Sequence, residues 1–233
     1  MRIGILGGMG PAATQHVIDV LMRELSECLD PRRDQDYPDM TILMESSMPD
    51  RTEQLLAGRT DAATRINAAL TQLSGQGCSP IIVTCVTAHA LIEPAHFQSG
   101  VLDFRTCLVR QNGRVHSEPL GIVATTGSVS SGVFDAIAPE CEIIYPDEEH
   151  QSLTMEIIYG PRGLKTAHPD EEHLRELLDR VAGHLRERGA GFCVAGCTEV
   201  EMFAAQQSLE DEFLFPMQLL AQEICHALAR EAA

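Results

Sequence analysis

The chain has 233 residues, 44% of them hydrophobic, and carries 17 Lys and Arg against 34 Asp and Glu, a formal net charge of −17. That length supports one large domain or two small ones around a real core, while the negative field repels phosphate backbones and anionic lipid and so excludes nucleic acid and membrane surfaces as partners. A small acidic ligand is compatible with such a chain only where local cations offset the global field.

In chain order, short β-branched runs bounded by Gly or Pro alternate with longer amphipathic stretches, the pattern of parallel sheets covered by helices. The first predicted strand, Ile3 to Leu6, runs into Gly7-Gly8-Met9-Gly10 and then a helix over Pro11 to Leu29, with Pro11 in the first turn, where a missing N–H costs nothing. A strand over Met40 to Met44, a helix over Asp61 to Gln76 and a strand over Ile81 to Thr84 follow. The second half offers strands over Leu120 to Ala124, Glu142 to Tyr145 and Gly191 to Ala195, with helices over Pro169 to Arg188 and Pro216 to Arg230. The acidic runs at Asp147 and Asp170 mark helix starts, where acids complement the macrodipole. The N-terminal segment lacks the apolar core of a signal peptide, and no apolar run reaches about 18 residues, so a cytoplasmic protein is expected.

The two halves echo each other. Ile3-Gly4-Ile5-Leu6-Gly7 aligns with Leu120-Gly121-Ile122-Val123-Ala124, each a buried strand leading through a glycine-containing turn into a helix. Further on, Val83-Thr84-Cys85-Val86-Thr87 is matched by Val194-Ala195-Gly196-Cys197-Thr198. The expected fold is therefore α/β, with two similar Rossmann-like lobes, each a mostly parallel sheet flanked by helices. The first lobe is expected over residues 1–104, joined by the C-terminal helix over 211–233, and the second over 105–210. Ligands bind at the carboxyl ends of parallel strands, so facing lobes place Cys85 and Cys197 at one cleft.

Of eight cysteines, most are expected to be reduced packing residues, and no Cys/His set has the spacing of a structural zinc site. Cys85 and Cys197 differ because their contexts match. Two opposed thiols, one of them ionised beside a cation or a helix N-terminus, are able to take an α-proton from one face of an amino acid and return one to the other. Backbone N–H groups and hydroxyls at strand-to-helix turns would hold the substrate carboxylate and the developing negative charge. Gly7 to Gly10, including Met9, together with Val86, Thr87, Thr125, Thr126 and Thr198, occupy such turns. His89, four residues after Cys85, is either a structural hydrogen-bonding residue or a partner for a thiolate. Lys165 is the sole lysine among 17 basic residues and stands in a Gly/Pro-rich turn; it is read either as a solvated loop residue or as a point charge that closes over a carboxylate.

Six segments taken in order, Gly4-Ile5-Leu6-Gly7-Gly8-Met9-Gly10-Pro11, Met48-Pro49-Asp50-Arg51-Thr52, Cys85-Val86-Thr87-Ala88-His89, Ala124-Thr125-Thr126-Gly127, Ile158-Tyr159-Gly160 and Ala195-Gly196-Cys197-Thr198-Glu199-Val200, resemble the aspartate/glutamate racemase superfamily and its aspartate racemase branch. The resemblance implies a cleft between two lobes, chemistry without PLP or metal, and a homodimer. It also implies that Cys85 and Cys197 are catalytic and that Arg51 and Lys165 hold the side-chain carboxylate of an acidic amino acid. Two departures bear on the substrate: Val86 stands where such proteins usually carry Asn, and Phe215 where they commonly carry an acid. The first expectation is thus an isomerase, racemising aspartate or a related acidic amino acid. The alternatives are a maleate-type cis–trans isomerase, or a racemase of another substrate, on the same two thiols, and a catalytically silent ligand-binding relative.

Overall fold

Runs such as Ile3-Gly4-Ile5-Leu6 and Leu120-Gly121-Ile122-Val123 are apolar on both sides of the strand, so they are stable only in the middle of a sheet covered on both faces. That is where they lie in the computed structural model, which describes residues 1–111, 118–137 and 139–232. The first half holds β1 (Arg2–Gly7), α1 (Pro11–Leu29), β2 (Asp39–Met44), α2 (Arg51–Leu56), α3 (Asp61–Gly75), β3 (Ile81–Val83), α4 (Pro94–Gln98) and α5 (Phe104–Gln111), with a 3-10 turn over Thr87–Leu91. The second holds β4 (Leu120–Val123), α6 (Thr126–Ser130), β5 (Ile143–Ile144), α7 (Glu148–Tyr159), α8 (Glu171–Glu187), β6 (Phe192–Ala195), α9 (Thr198–Gln206), β7 (Phe213–Leu214) and α10 (Pro216–Ala232).

Two parallel sheets result, with orders β2-β1-β3 and β5-β4-β6-β7. β1 and β4 occupy equivalent central positions, as the echo implied. Each is followed by a helix, and the cysteine-bearing turns follow β3 and β6, which pair with them in register, Leu6 with Val83 and Val123 with Ala195. This register sets Cys85 and Cys197 just past the carboxyl edges of their sheets. The fold is α/β, two lobes of parallel sheet flanked by helices. Among the described residues no helix is long and apolar enough to cross a membrane.

α10 packs on α1 and α5 of the first half. Buried side chains from both sheets share one cluster, in which Ile3 and Ile5 join Ile122, Val194 and Phe134. Phe104 meets Phe134 edge-on, ring centroids 5.6 Å apart, an aromatic contact of about 0.5–1.5 kcal/mol that fastens α5 to the second half. Part of the expected lobe junction, residues 112–117, lies outside the described residues.

Differences from the sequence expectation are local. β7 was not anticipated, because two residues, Phe213 and Leu214, carry no periodic signal; it forms by pairing with β6. The helix expected from Pro169 begins at Glu171, because Asp170 acts as the cap and accepts from the His173 amide. The strand over Glu142 to Tyr145 shortens to Ile143–Ile144 at the edge of its sheet. The short helices α2, α4, α5 and α9 were also not read from the sequence, being too short to show an amphipathic period.

Candidate active site

The two turns that follow β3 and β6 face each other across the lobes and close around one small cavity. It is lined by Arg51, Cys85, Val86, Thr87, Thr125, Tyr159, Lys165, Cys197, Thr198 and Glu199. Eight residues singled out from the sequence are thus brought together from positions up to 147 apart, Arg51 to Thr198. Both thiols are reduced and nearly closed off, Cys85 8% and Cys197 5% exposed. The space between them holds about one water. A larger outer cavity of about 300 Å³ adjoins it, lined by Gly8 to Ala13, Ser46, Met48, Asp50 and Leu164 to Thr166, and shares Arg51, Lys165 and Glu199 with the inner one. Those three side chains form the partition.

Threonines stitch the lobes together at the floor. Thr198 Oγ1 donates to the Thr84 carbonyl (3.1 Å). Thr87 and Thr125 hydroxyls meet at 3.1 Å, and Ser128 Oγ donates to Thr87 at 2.9 Å. On the wall, the Tyr159 hydroxyl donates to Asp50 (2.9 Å), joining α7 to the cap of α2. Gly127 stands so close to Thr52 that a Cβ on it would lie 2.6 Å from the Thr52 Cα; the lobes approach this closely only because α6 has no side chain there. At the other end of the cleft Gly8 turns with φ +91°, a left-handed conformation that glycine adopts freely, and so aims the loop before α1 at the outer cavity.

Arg51 is fixed. It is 7% exposed, and its guanidinium donates to the carbonyls of Met9 (2.6 Å) and Pro49 (3.1 Å) while lying beside the Cys85 thiol. Burial works against its charge, but Cys85, Asp50 and Tyr159 outweigh this and hold it firmly protonated. Lys165 reaches in from the turn after α7, its Nζ 5.5 Å above the Tyr159 ring, and ion-pairs with Glu199 Oε1. Burial pulls the Lys165 ammonium down, yet Glu199 and the two thiols more than reverse it, so the group stays charged. Glu199 Oε2 accepts from the Cys197 thiol at 3.1 Å. Burial first, and Glu199 second, push Cys197 well above an ordinary thiol.

Two expected ligands sit elsewhere. Thr126 lies in the first turn of α6, facing α7: its amide meets Met155 Sδ at 3.2 Å and its hydroxyl accepts from Gln151 at 3.3 Å, so it is not part of the thiol cavity. Met9 lines the outer cavity and serves the inner one only through the carbonyl that anchors Arg51. His89 follows the structural reading. It is buried against Phe104 and Phe97, burial lowers its basicity, and since a carbonyl only accepts, Nδ1 carries the hydrogen that reaches Cys85 O at 3.0 Å. Conversely, Glu199 and Tyr159 were quoted in motifs but given no task. The available signal was an acid two residues past Cys197 at a helix start, where it meets both the cysteine and the amide dipoles.

Phe215 is buried among apolar neighbours. An acid is nonetheless present at the start of α10: Glu201, fully buried on α9, accepts from the amides of Met217 (2.8 Å) and Gln218 (3.0 Å).

The sequence profile of the Asp/Glu/hydantoin racemase family matches residues 6–224. The chain belongs to that family. Among solved structures it resembles aspartate racemase of Picrophilus torridus, with TM-score 0.75 and 23% identity over 94% of this chain and 90% of that one. An aspartate racemase homologue of Pyrococcus horikoshii gives 0.69 at 16% identity, covering 98% and 99%. Glutamate racemase of Francisella tularensis, solved with D-glutamate, gives 0.65 at 16% identity, covering 99% and 81%. At these identities the likeness shows the fold, and membership of the racemase family rests on the profile.

Proposed function

We propose that the protein interconverts the L and D forms of aspartate, or of a closely related acidic amino acid, by proton transfer between two cysteines without a cofactor. The observation that carries this reading is the placement of Cys85 and Cys197 on opposite lobes of one closed cavity with Arg51 and Lys165 at its partition. Two positive charges, the pinned Arg51 and Lys165, match a second carboxylate, which distinguishes an acidic substrate from a neutral one.

In the reaction, a thiolate takes the α-proton, and the C–H electron pair passes into the substrate carboxylate as an enolate-like species. The opposite thiol then delivers its own proton to the other face. The enzyme finishes with thiol and thiolate exchanged. Hydroxyls of Thr87 and Thr125 and the N-terminus of α9 would stabilise the developing charge. Because the inner cavity holds about one water, the substrate enters through the outer cavity and displaces the Lys165 side chain from Glu199.

The reading includes a cytoplasmic homodimer. β2 is a sheet edge that exposes Ile42 (44%) and Met44 (46%) on one face, an apolar strip suited to a second copy.

Val86 favours one second reading. It lines the thiol cavity with an apolar side chain, which suits a dicarboxylate lacking an ammonium group, such as maleate. A cysteine thiolate would add to the double bond, push the electron pair into a carboxylate, and leave again after rotation about the single bond.

The deciding experiment is deuterium incorporation at the α-carbon of L- and D-aspartate and glutamate, followed by NMR in D₂O with no PLP added. Exchange with loss of optical purity is expected for aspartate. Absence of exchange with all four, together with conversion of maleate to fumarate, would replace the racemase reading by the second one.

A further inference from the structure

The two thiols are not equivalent in the unliganded protein, and the difference lies in one side chain. Cys197 is the cap residue of α9, a nine-residue helix, and lies near the Lys165 ammonium. A helix N-terminus and a neighbouring cation both stabilise a thiolate, so by itself this position calls for an ionised sulfur. Glu199, two residues further in the same first turn and 4% exposed, opposes both influences. One carboxylate oxygen accepts the Cys197 S–H, and the other occupies the Lys165 ammonium. The groups facing Cys197 are thus Glu199 on its own helix, Lys165 from the turn after α7 and Cys85 from the other lobe. Cys85 also feels the Lys165 ammonium, but its adjacent partner is the Arg51 guanidinium, which is pinned by the carbonyls of Met9 and Pro49 and does not depend on a carboxylate to stay in place.

Resting on the proposed two-thiol chemistry, we infer that Glu199 is a positioning residue that decides which cysteine carries the proton. By bonding Cys197 and holding Lys165 it reserves Cys197 as the acid and leaves Cys85 as the base in the unliganded protein. Glu199 also stands in for the distal carboxylate of the substrate. When a dicarboxylate enters from the outer cavity, its own carboxylate takes Lys165 from Glu199. The Lys165–Glu199 pair is therefore both the door between the cavities and the device that sets the starting protonation state.

The test is the pH dependence of alkylation by a small haloacetamide, with each cysteine followed by peptide mass spectrometry, in the wild-type chain, Glu199→Gln and Lys165→Met. In the wild type, Cys197 should alkylate only at a pH above that of an ordinary free thiol. Glu199→Gln removes the opposing charge but leaves the cation, so the Cys197 profile should move down by about one pH unit or more. Lys165→Met removes the cation but leaves the carboxylate, so it should move the profile up. General loosening of the cleft would instead make Cys197 more reactive in both variants, and that result overturns the inference. So does an unchanged Cys197 profile in Glu199→Gln, or a wild type in which Cys197 alkylates at the pH of an ordinary free thiol or below. A second readout is calorimetric binding of malonate, a dicarboxylate without an α-amino group. Glu199→Gln should bind it about tenfold more tightly because Lys165 is free, whereas equal or weaker binding overturns the stand-in role. None of these measurements requires turnover, so they fail separately from the racemase reading, which falls on the exchange experiment.

Discussion

At the scale of single residues, function depends on a few polar atoms held in an almost dry space. Cys85 and Cys197 are buried at the edges of two apolar clusters, and their nearest charged partners differ, Arg51 beside Cys85 and Glu199 bonded to Cys197, with Lys165 close to both. Replacing either sulfur by the less acidic hydroxyl, Cys85→Ser or Cys197→Ser, is expected to lower racemisation by about 10²–10⁴-fold, the usual worth of a positioned acid or base. Optical rotation of L- and D-aspartate measures it, and full activity in either variant would refute the two-thiol mechanism. Cys107, Cys141, Cys193 and Cys225, whose thiols burial pushes up, are expected to be inert in the same assay when replaced by Ala. The sequence singled out the two cysteines because their contexts repeat and Lys165 because it is the sole lysine, whereas Arg51 was picked out only by the family resemblance. It gave Glu199 no task, because an acid at the start of a helix is ordinary, and only the proximity of Lys165, 34 residues away in sequence, makes this one different.

Among the elements, helix termini do most of the positioning. α2, α6 and α7 are capped by Asp50, Thr125 and Asp147. The start of α10 has no such cap of its own and uses Glu201 from α9 instead. Burial raises the Glu201 carboxyl to about 8 against the pull of the two amides. His16 of α1 faces it at 4.0 Å and is itself driven towards neutrality by burial, so it offers little compensating charge. A carboxyl raised from its ordinary 4.5 to about 8 on folding binds its proton more tightly in the folded chain. Its contribution to stability is full below about pH 4.5 and is lost as pH rises through about 8. Glu201→Gln, neutral throughout, should therefore gain in melting temperature relative to the wild type as pH is raised from about 5 to about 9. A difference independent of pH would show that Glu201 does not titrate in that window.

For the whole molecule, the decisive quantity is the distance between lobes. At the cleft itself the contacts are threonine hydroxyls, the Tyr159–Asp50 bond and the bare Cα of Gly127 against Thr52, while behind it the two sheets share one apolar cluster. Gly127→Ala places a methyl 2.6 Å from the Thr52 Cα and holds α6 away from α2. The expected result is a loss of kcat/KM of about tenfold or more, with a stability loss of about 1–3 kcal/mol, read from kinetics and denaturant melts. Unchanged kcat/KM would mean that the lobes tolerate a wider joint.

By itself, the sequence determined the α/β class and the repeated strand-turn-helix unit, and it singled out two thiols as candidates. These follow from short-range patterns: apolar strands that need cover on both faces, glycine turns, and matched Cys-containing turns in both halves. Only the tertiary structure decided which turn residues meet. Thr125 enters the cavity while Thr126, one residue on and into the first turn of α6, faces α7 instead. β7 likewise exists only because β6 offers it an edge. The closed state of the site and the unequal settings of its two cysteines are of the same kind. They arise from charges that converge from Arg51, Lys165 and Glu199 across two lobes, and electrostatics at close range depends on distance and burial, neither of which is written in the order of the residues.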